Sequence, residues 1–127
     1  MDMMKIQYIN VFVSDLAVAT RFYSEVLGLT LQFSSPQHRF AAFSAGGTRL
    51  GIAVPDAGQE GLVGRHTGVG FCVSDLTLEH SRMAALGVHF SMSPARQPWG
   101  GFMAMFEDPD RNVFYLDQDD LVAGSGR

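Results

Sequence analysis

Cysteine, lysine and charge are scarce in this chain, and each scarcity excludes something. A single cysteine in 127 residues, Cys72, has no partner for an intramolecular disulfide. It falls inside a strand pattern with no base on a matching motif, which predicts a buried, inert thiol. Lys5 is the sole lysine, and the nine basic residues stand singly rather than in a run. Nucleic acid is therefore not an expected partner, because binding it needs concentrated positive charge. No apolar run reaches the length that spans a bilayer, and no signal segment opens the chain. A cytoplasmic, soluble protein with no membrane partner is expected. A phosphate-binding glycine loop is also missing, since the glycines fall at the ends of periodic segments instead.

What the chain has in quantity is apolar surface. Hydrophobic residues make up 46%, charged residues only 17%, and there are ten phenylalanines. That supply exceeds what a small core needs and leaves room for an apolar pocket or a subunit interface. The net charge of −4 is a weak pointer toward cationic ligands.

The chain also repeats itself. Ile9-Asn10-Val11-Phe12-Val13-Ser14-Asp15-Leu16 returns sixty positions later as Val69-Gly70-Phe71-Cys72-Val73-Ser74-Asp75-Leu76. Each copy runs through a helix-like segment into a Leu-Gly-hydrophobic stop, Leu27-Gly28-Leu29 and Leu86-Gly87-Val88. The step from Asp to Gly is thirteen in the first copy and twelve in the second, so the second helix is expected to be one residue shorter. Modules of this size are marginal alone, and a pair is expected to share a core and to leave a cleft between its members.

Within each copy the periodicity predicts β-α-β-β-β. Ile6–Val13 alternates as a strand. Ser14 and Asp15 offer cap oxygens to a helix whose apolar face is Leu16, Ala19, Phe22, Tyr23, Val26 and Leu27. Strands follow at 29–34, 39–45 and 49–54, the last two joined by Gly46-Gly47. Residues 55–67 read as a linker. The second copy gives a strand at 68–73, a helix at 76–86, a strand at 88–92, a loop at 94–100, a strand at 101–107, a turn at 108–112 and a strand at 113–117. The fold class is α+β, with module one at 5–54, module two at 68–118 and a flexible tail over 121–127.

Strand alternation sorts the side chains further. Ile9, Val11 and Val13 should cover the first helix, which sends Tyr8, Asn10 and Phe12 to the opposite face. In the second copy Val69, Phe71 and Val73 cover the helix, and Gly68, Gly70 and Cys72 face away. Asp108 and Asp110 belong to a turn before the last strand rather than to an acid pair.

The repeated Val-Ser-Asp-Leu, the Arg21-Phe22-Tyr23 with Leu27-Gly28-Leu29, and Glu107-Asp108-Pro109-Asp110-Arg111-Asn112 together resemble the vicinal oxygen chelate superfamily. That group includes glyoxalase I, extradiol dioxygenases, fosfomycin-resistance enzymes and bleomycin-resistance proteins. The resemblance covers roughly residues 5 to 118 and implies two tandem βαβββ modules forming a curled mixed sheet around a central cavity. It also implies a homodimer. In metal-dependent members, His, Gln or Glu from the first and last strand of each module hold one divalent ion. The matching positions here are Tyr8, Gly51, Gly68 and Tyr115. Glycine has no donor and a neutral phenol is a poor ligand, so no metal and no cofactor are expected.

The resemblance then points to its metal-free, drug-sequestering members. Tyr8, Asn10, Phe12, Phe40, Gly51, Gly68, Trp99, Phe102 and Tyr115 are the candidate lining of a site for a small aromatic or amphipathic ligand. Other roles are open to some of them: core for Phe12, Phe40 and Phe102, a dimer contact for Trp99, and space-filling for Tyr8 and Tyr115. The competing reading is a metal-dependent lyase, isomerase or dioxygenase with atypical ligands. Of His38, His66, His80 and His89, His66 stands nearest a ligand position and would be its first candidate.

Overall fold

A computed structural model describes residues 2–119 of the chain, and the tail expected over 121–127 lies outside the described residues. The chain divides between Gly64 and Arg65 into two compact units, here module one and module two. Each has a four-stranded mixed sheet and one α-helix, module one adding short 3-10 turns at Pro36–His38 and Glu60–Leu62, so the predicted α+β class and the βαβββ repeat are both present.

Module one comprises β1 (Tyr8–Phe12), α1 (Leu16–Arg21), β2 (Thr30–Ser35), β3 (Phe40–Ala45) and β4 (Thr48–Ala53). Its strand order is β1-β4-β3-β2, with β1 parallel to β4 and the other pairs antiparallel. Module two comprises β5 (His66–Val73), α2 (Leu76–Ala85), β6 (Phe90–Arg96), β7 (Phe102–Glu107) and β8 (Val113–Gln118). Its order, β5-β8-β7-β6, is the same path taken again.

The caps are those the sequence offers. The Asp15 carboxylate accepts from the Val18 N–H at 3.0 Å, and the Asp75 carboxylate accepts from the Leu78 N–H at 3.1 Å. These bonds satisfy donors that the first turn of a helix leaves free. Gly28 and Gly87 follow as left-handed stops.

The first helix departs from the expected continuous α-helix. After Arg21 it widens into a π-turn over Phe22–Val26, where the Leu27 N–H donates to the Phe22 carbonyl at 3.1 Å. A π-turn absorbs one extra residue without disturbing the register on either side. That is the physical origin of the thirteen-against-twelve spacing of the two copies.

The cores obey the predicted alternation. In module one Val11, Val13, Ala19, Tyr23, Phe43, Leu50 and Ile52 are buried, with the Tyr23 ring 5.9 Å from that of Phe43. In module two Leu76, Met83, Phe106, Phe114 and Leu116 are buried, and the Phe106 and Phe114 rings stack at 5.4 Å.

Two strands extend into segments expected as loop or linker. The strand β5 begins at His66, inside the predicted linker. A bulge at Gly68, with φ +71°, lets His66 pair with Val113 before the ladder resumes at Gly70 and Tyr115. Residues expected as a loop from Pro94 continue β6 through Arg96. As the edge strand of its sheet β6 accommodates Pro94, because an edge leaves room for a residue that cannot donate.

The turn before β8 is structural, as expected. Asp108 Oδ1 accepts from the backbone N–H of Asp110 at 2.9 Å and of Asn112 at 2.8 Å, and Oδ2 accepts from Asn112 Nδ2 at 2.9 Å. Asn112 Oδ1 in turn accepts from the Arg65 N–H at 3.1 Å, tying this turn to the start of β5. Both side chains are buried, so the pairing satisfies groups that water cannot reach.

Candidate functional site

In module one the sheet face away from α1 collects the predicted residues. Asn10 pairs with Gly51 across β1 and β4, Gly51 with Ala42, and Phe12 and Phe40 both with Ala53. The Asn10 side chain lies across Gly51: a Cβ built there would stand 2.2 Å from Asn10 Oδ1 and 3.0 Å from Phe40 Cε1. Glycine at 51 thus gives the exposed Asn10 side chain room to lie over the strand. Tyr8, in register with Arg49, is 53% exposed. Phe33 extends the aromatic surface, its ring 5.5 Å from that of Phe40.

In module two the structure brings Trp99, Phe102 and Tyr115 together. With Gly101, Met103, Asp117 and Gln118 they line an open recess of about 310 Å³. The indole lies against Gly101, where a Cβ would come within 2.8 Å of Trp99 Nε1. The Arg96 guanidinium sits 4.9 Å from the Phe102 ring centroid and donates to the Gly100 carbonyl at 3.0 Å, bracing the Trp99 loop. Tyr115 pairs with Gly70 and with Met105, and Met105 with Met92, so thioethers share its face. Gly68 is not part of this lining; it serves the β5 bulge, with open space where a Cβ would be.

The buried thiol expected at Cys72 is not found. Cys72 is exposed, because alternation puts it with Gly70 on the face that α2 does not cover. The four histidines each have a local neighbour and do not pair with one another. His38 Nδ1 lies 2.8 Å from Ser35 Oγ, and the His80 ring is edge-on to Phe90 at 4.5 Å. His89 Nε2 is 3.9 Å from a Glu107 carboxylate oxygen. His66 does lean toward a predicted site residue, its ring 5.0 Å from that of Tyr115, while its Nδ1 accepts the Gly68 N–H at 3.0 Å.

Sequence reasoning missed Phe33, Arg49, Gly101, the Met92–Met105 pair and Asp117. Arg49 and Asp117 were within reach, since each stands two residues from a named position on the same strand. Phe33 was hidden by a bulge in β2 between Leu31 and Phe33, which breaks the alternation there.

Residues 5–116 match the glyoxalase/bleomycin resistance protein/dioxygenase superfamily. The chain belongs to this superfamily. Among solved structures it is similar to a superfamily member from Sphaerobacter thermophilus DSM 20745, at 28% identity and a TM-score of 0.81, covering 92% of this chain and 98% of that one. It is similar in fold to lactoylglutathione lyase from Agrobacterium tumefaciens, at 24% identity and a TM-score of 0.76, covering 92% and 95%. It is likewise similar in fold to TioX from Micromonospora sp. ML1, at 20% identity and a TM-score of 0.74, covering 91% and 98%. A comparison with curated proteins finds no match. No helix of the described residues is long and apolar enough to cross a membrane.

The register tests the equivalence of the last-strand positions in this superfamily member. Asn10 pairs with Gly51 in module one, and its repeat counterpart Gly70 pairs with Tyr115 in module two. Gly51 and Tyr115 are therefore structural twins. Neither they nor Tyr8 and Gly68 supply the donors that a divalent ion takes. At Gly51 the space a ligating side chain would fill holds the Asn10 amide. Among the described residues no three His, Cys, Asp or Glu side chains group together. The residues present do not fit a metal of the usual kind.

Proposed function

We propose that the chain binds a flat aromatic or amphipathic small molecule without a metal, and sequesters rather than transforms it. The observation that carries this reading is the recess of about 310 Å³ where Trp99, Phe102 and Tyr115 meet. Trp99 and Tyr115 at one opening offer stacking and edge contacts to a planar ligand, with Phe102 at its edge. The Met103 thioether at the same opening adds a polarisable, adaptable contact. The lack of nitrogen and carboxylate donors at Tyr8, Gly51, Gly68 and Tyr115 supports binding without Lewis-acid chemistry. A metal-dependent lyase, isomerase or dioxygenase is the competing reading, and the likeness to lactoylglutathione lyase bears on fold alone.

Trp99 is the sole tryptophan, so its emission reports this recess without interference. The test is a fluorescence screen with planar aromatics such as acridine, quinoxaline and anthraquinone, each with and without chelator. Saturable quenching that chelator leaves unchanged and that Tyr115→Ala weakens is expected. Quenching that appears only after a divalent metal is added, or no saturation by any compound, would overturn the reading.

A further inference from the structure

We infer that module one carries an anion-binding pocket built around Arg49, fit for a carboxylate or phosphate group. The pocket is a polar cleft of about 250 Å³ lined by Gln7, Gln32, Ser44, Gly47, Thr48 and Arg49. Its chemistry is one-sided: a guanidinium, two amides and two hydroxyls, with no carboxylate in the lining. Groups of that kind converge on oxyanions, and arginine's planar fork matches carboxylate and phosphate geometry.

The guanidinium is held in place by an irregularity of the sheet. In a regular strand, consecutive residues face opposite ways, so Gln32 and Phe33 should not both reach one side chain. The bulge in β2 between Leu31 and Phe33 removes that restriction. Arg49 Nε donates to Gln32 Oε1 at 3.2 Å, and the guanidinium carbon stands 5.4 Å from the Phe33 ring centroid. One amide and one ring thus fix the charged group, and its two Nη groups remain for a ligand. Among the described residues Arg49 meets no carboxylate, and the side chains of Gln7, Ser44 and Thr48 make no hydrogen bond. Arg49 is a half-buried cation braced by neutral partners, in a position that an anion can reach.

The pocket lies on the face that carries Tyr8, Asn10 and Phe40, because Arg49 is in register with Tyr8 on one side and Ser44 on the other. All of its lining residues belong to module one.

The experiment is a ¹H–¹⁵N NMR titration of the full chain with sodium acetate and, separately, inorganic phosphate, at ionic strength fixed with chloride. Saturable shifts centred on the amides of Gly47, Thr48 and Arg49 are expected. Saturation by acetate alone assigns the pocket to carboxylates, and by phosphate alone to phosphoryl groups. Arg49→Gln should weaken binding about tenfold or more, the effect of losing a charge-assisted hydrogen-bond pair. Thr48→Val, which keeps the guanidinium, should weaken it less, and stands as the second variant if Arg49→Gln does not fold. Absence of saturable shifts with both anions, or unchanged binding in a folded Arg49→Gln, would overturn the assignment.

Discussion

Asn10 and Gly51 occupy one space between them, and neither is explained alone. Placing even a methyl group at 51 drives it into Asn10 Oδ1, so Gly51→Ala must expel the amide from its seat against the sheet. We expect the substitution to cost only about 0.5–1 kcal/mol, because Asn10 is exposed and its amide can swing toward solvent, which leaves the close approach to Phe40 as the tight contact. Asn10→Ala in the same chain should recover part of that loss, because it vacates the contested volume. Urea denaturation of the two single variants and the double variant measures the coupling. Additive costs would show that the two positions do not share this space. Residue identity at this scale was partly legible in the sequence. Alternation correctly put Asn10 on the face away from the helix, but nothing in a linear pattern says that its amide leans over the strand beside it. Cys72 shows the reverse case. Its face was read correctly, and its exposure follows from that face being uncovered, yet the preference of cysteine for interiors suggested burial.

Regular elements were legible from periodicity, and their irregularities were not. Strand and helix positions followed from apolar spacing, and the caps at Asp15 and Asp75 from their side-chain chemistry. The π-turn at Phe22–Val26 left a trace as the extra residue between Asp15 and Gly28, but five residues are too few for apolar spacing to separate a π-turn from an α-helix. The structure makes a prediction of it. Deleting the exposed Glu25 should relax the π-turn to α-helix and keep the chain folded, with thermal stability changed little. Deleting Ser81 from the regular helix α2 should instead rotate one half of that helix against the other by about 100° and strip Leu76 or Met83 from the core. Thermal melts followed by circular dichroism compare the two. Equal losses would show that the extra residue is not held in a bulge. The bulges in β2 and β5 follow the same rule. Each re-aims side chains, Gln32 and Phe33 toward Arg49 in one case and His66 toward Tyr115 in the other, and each escapes a reading based on alternation alone.

On the scale of the whole molecule, the repeat determines architecture and leaves chemistry to individual positions. Two copies of one sequence pattern give two copies of one strand order, and the superfamily follows from that path and its markers. Function does not follow, because one scaffold hosts many chemistries. On the proposed reading, what separates this chain from the metal-dependent members is the residues at four positions, Tyr8, Gly51, Gly68 and Tyr115, and these are legible in the sequence. Of the recess beside Trp99, only Trp99, Phe102 and Tyr115 were legible in the sequence; Gly101, Met103, Asp117 and Gln118 were not, nor was its form, which depends on the Arg96 brace and on Gly101. The central claim is binding without a metal. Its most direct test is metal content per chain by inductively coupled plasma mass spectrometry. The protein is purified without chelators or metal-affinity resin, then offered nickel, zinc, manganese and ferrous iron. Occupancy near zero with every metal is the predicted result. One tightly held ion per chain would contradict the account and make His66 the first residue to replace.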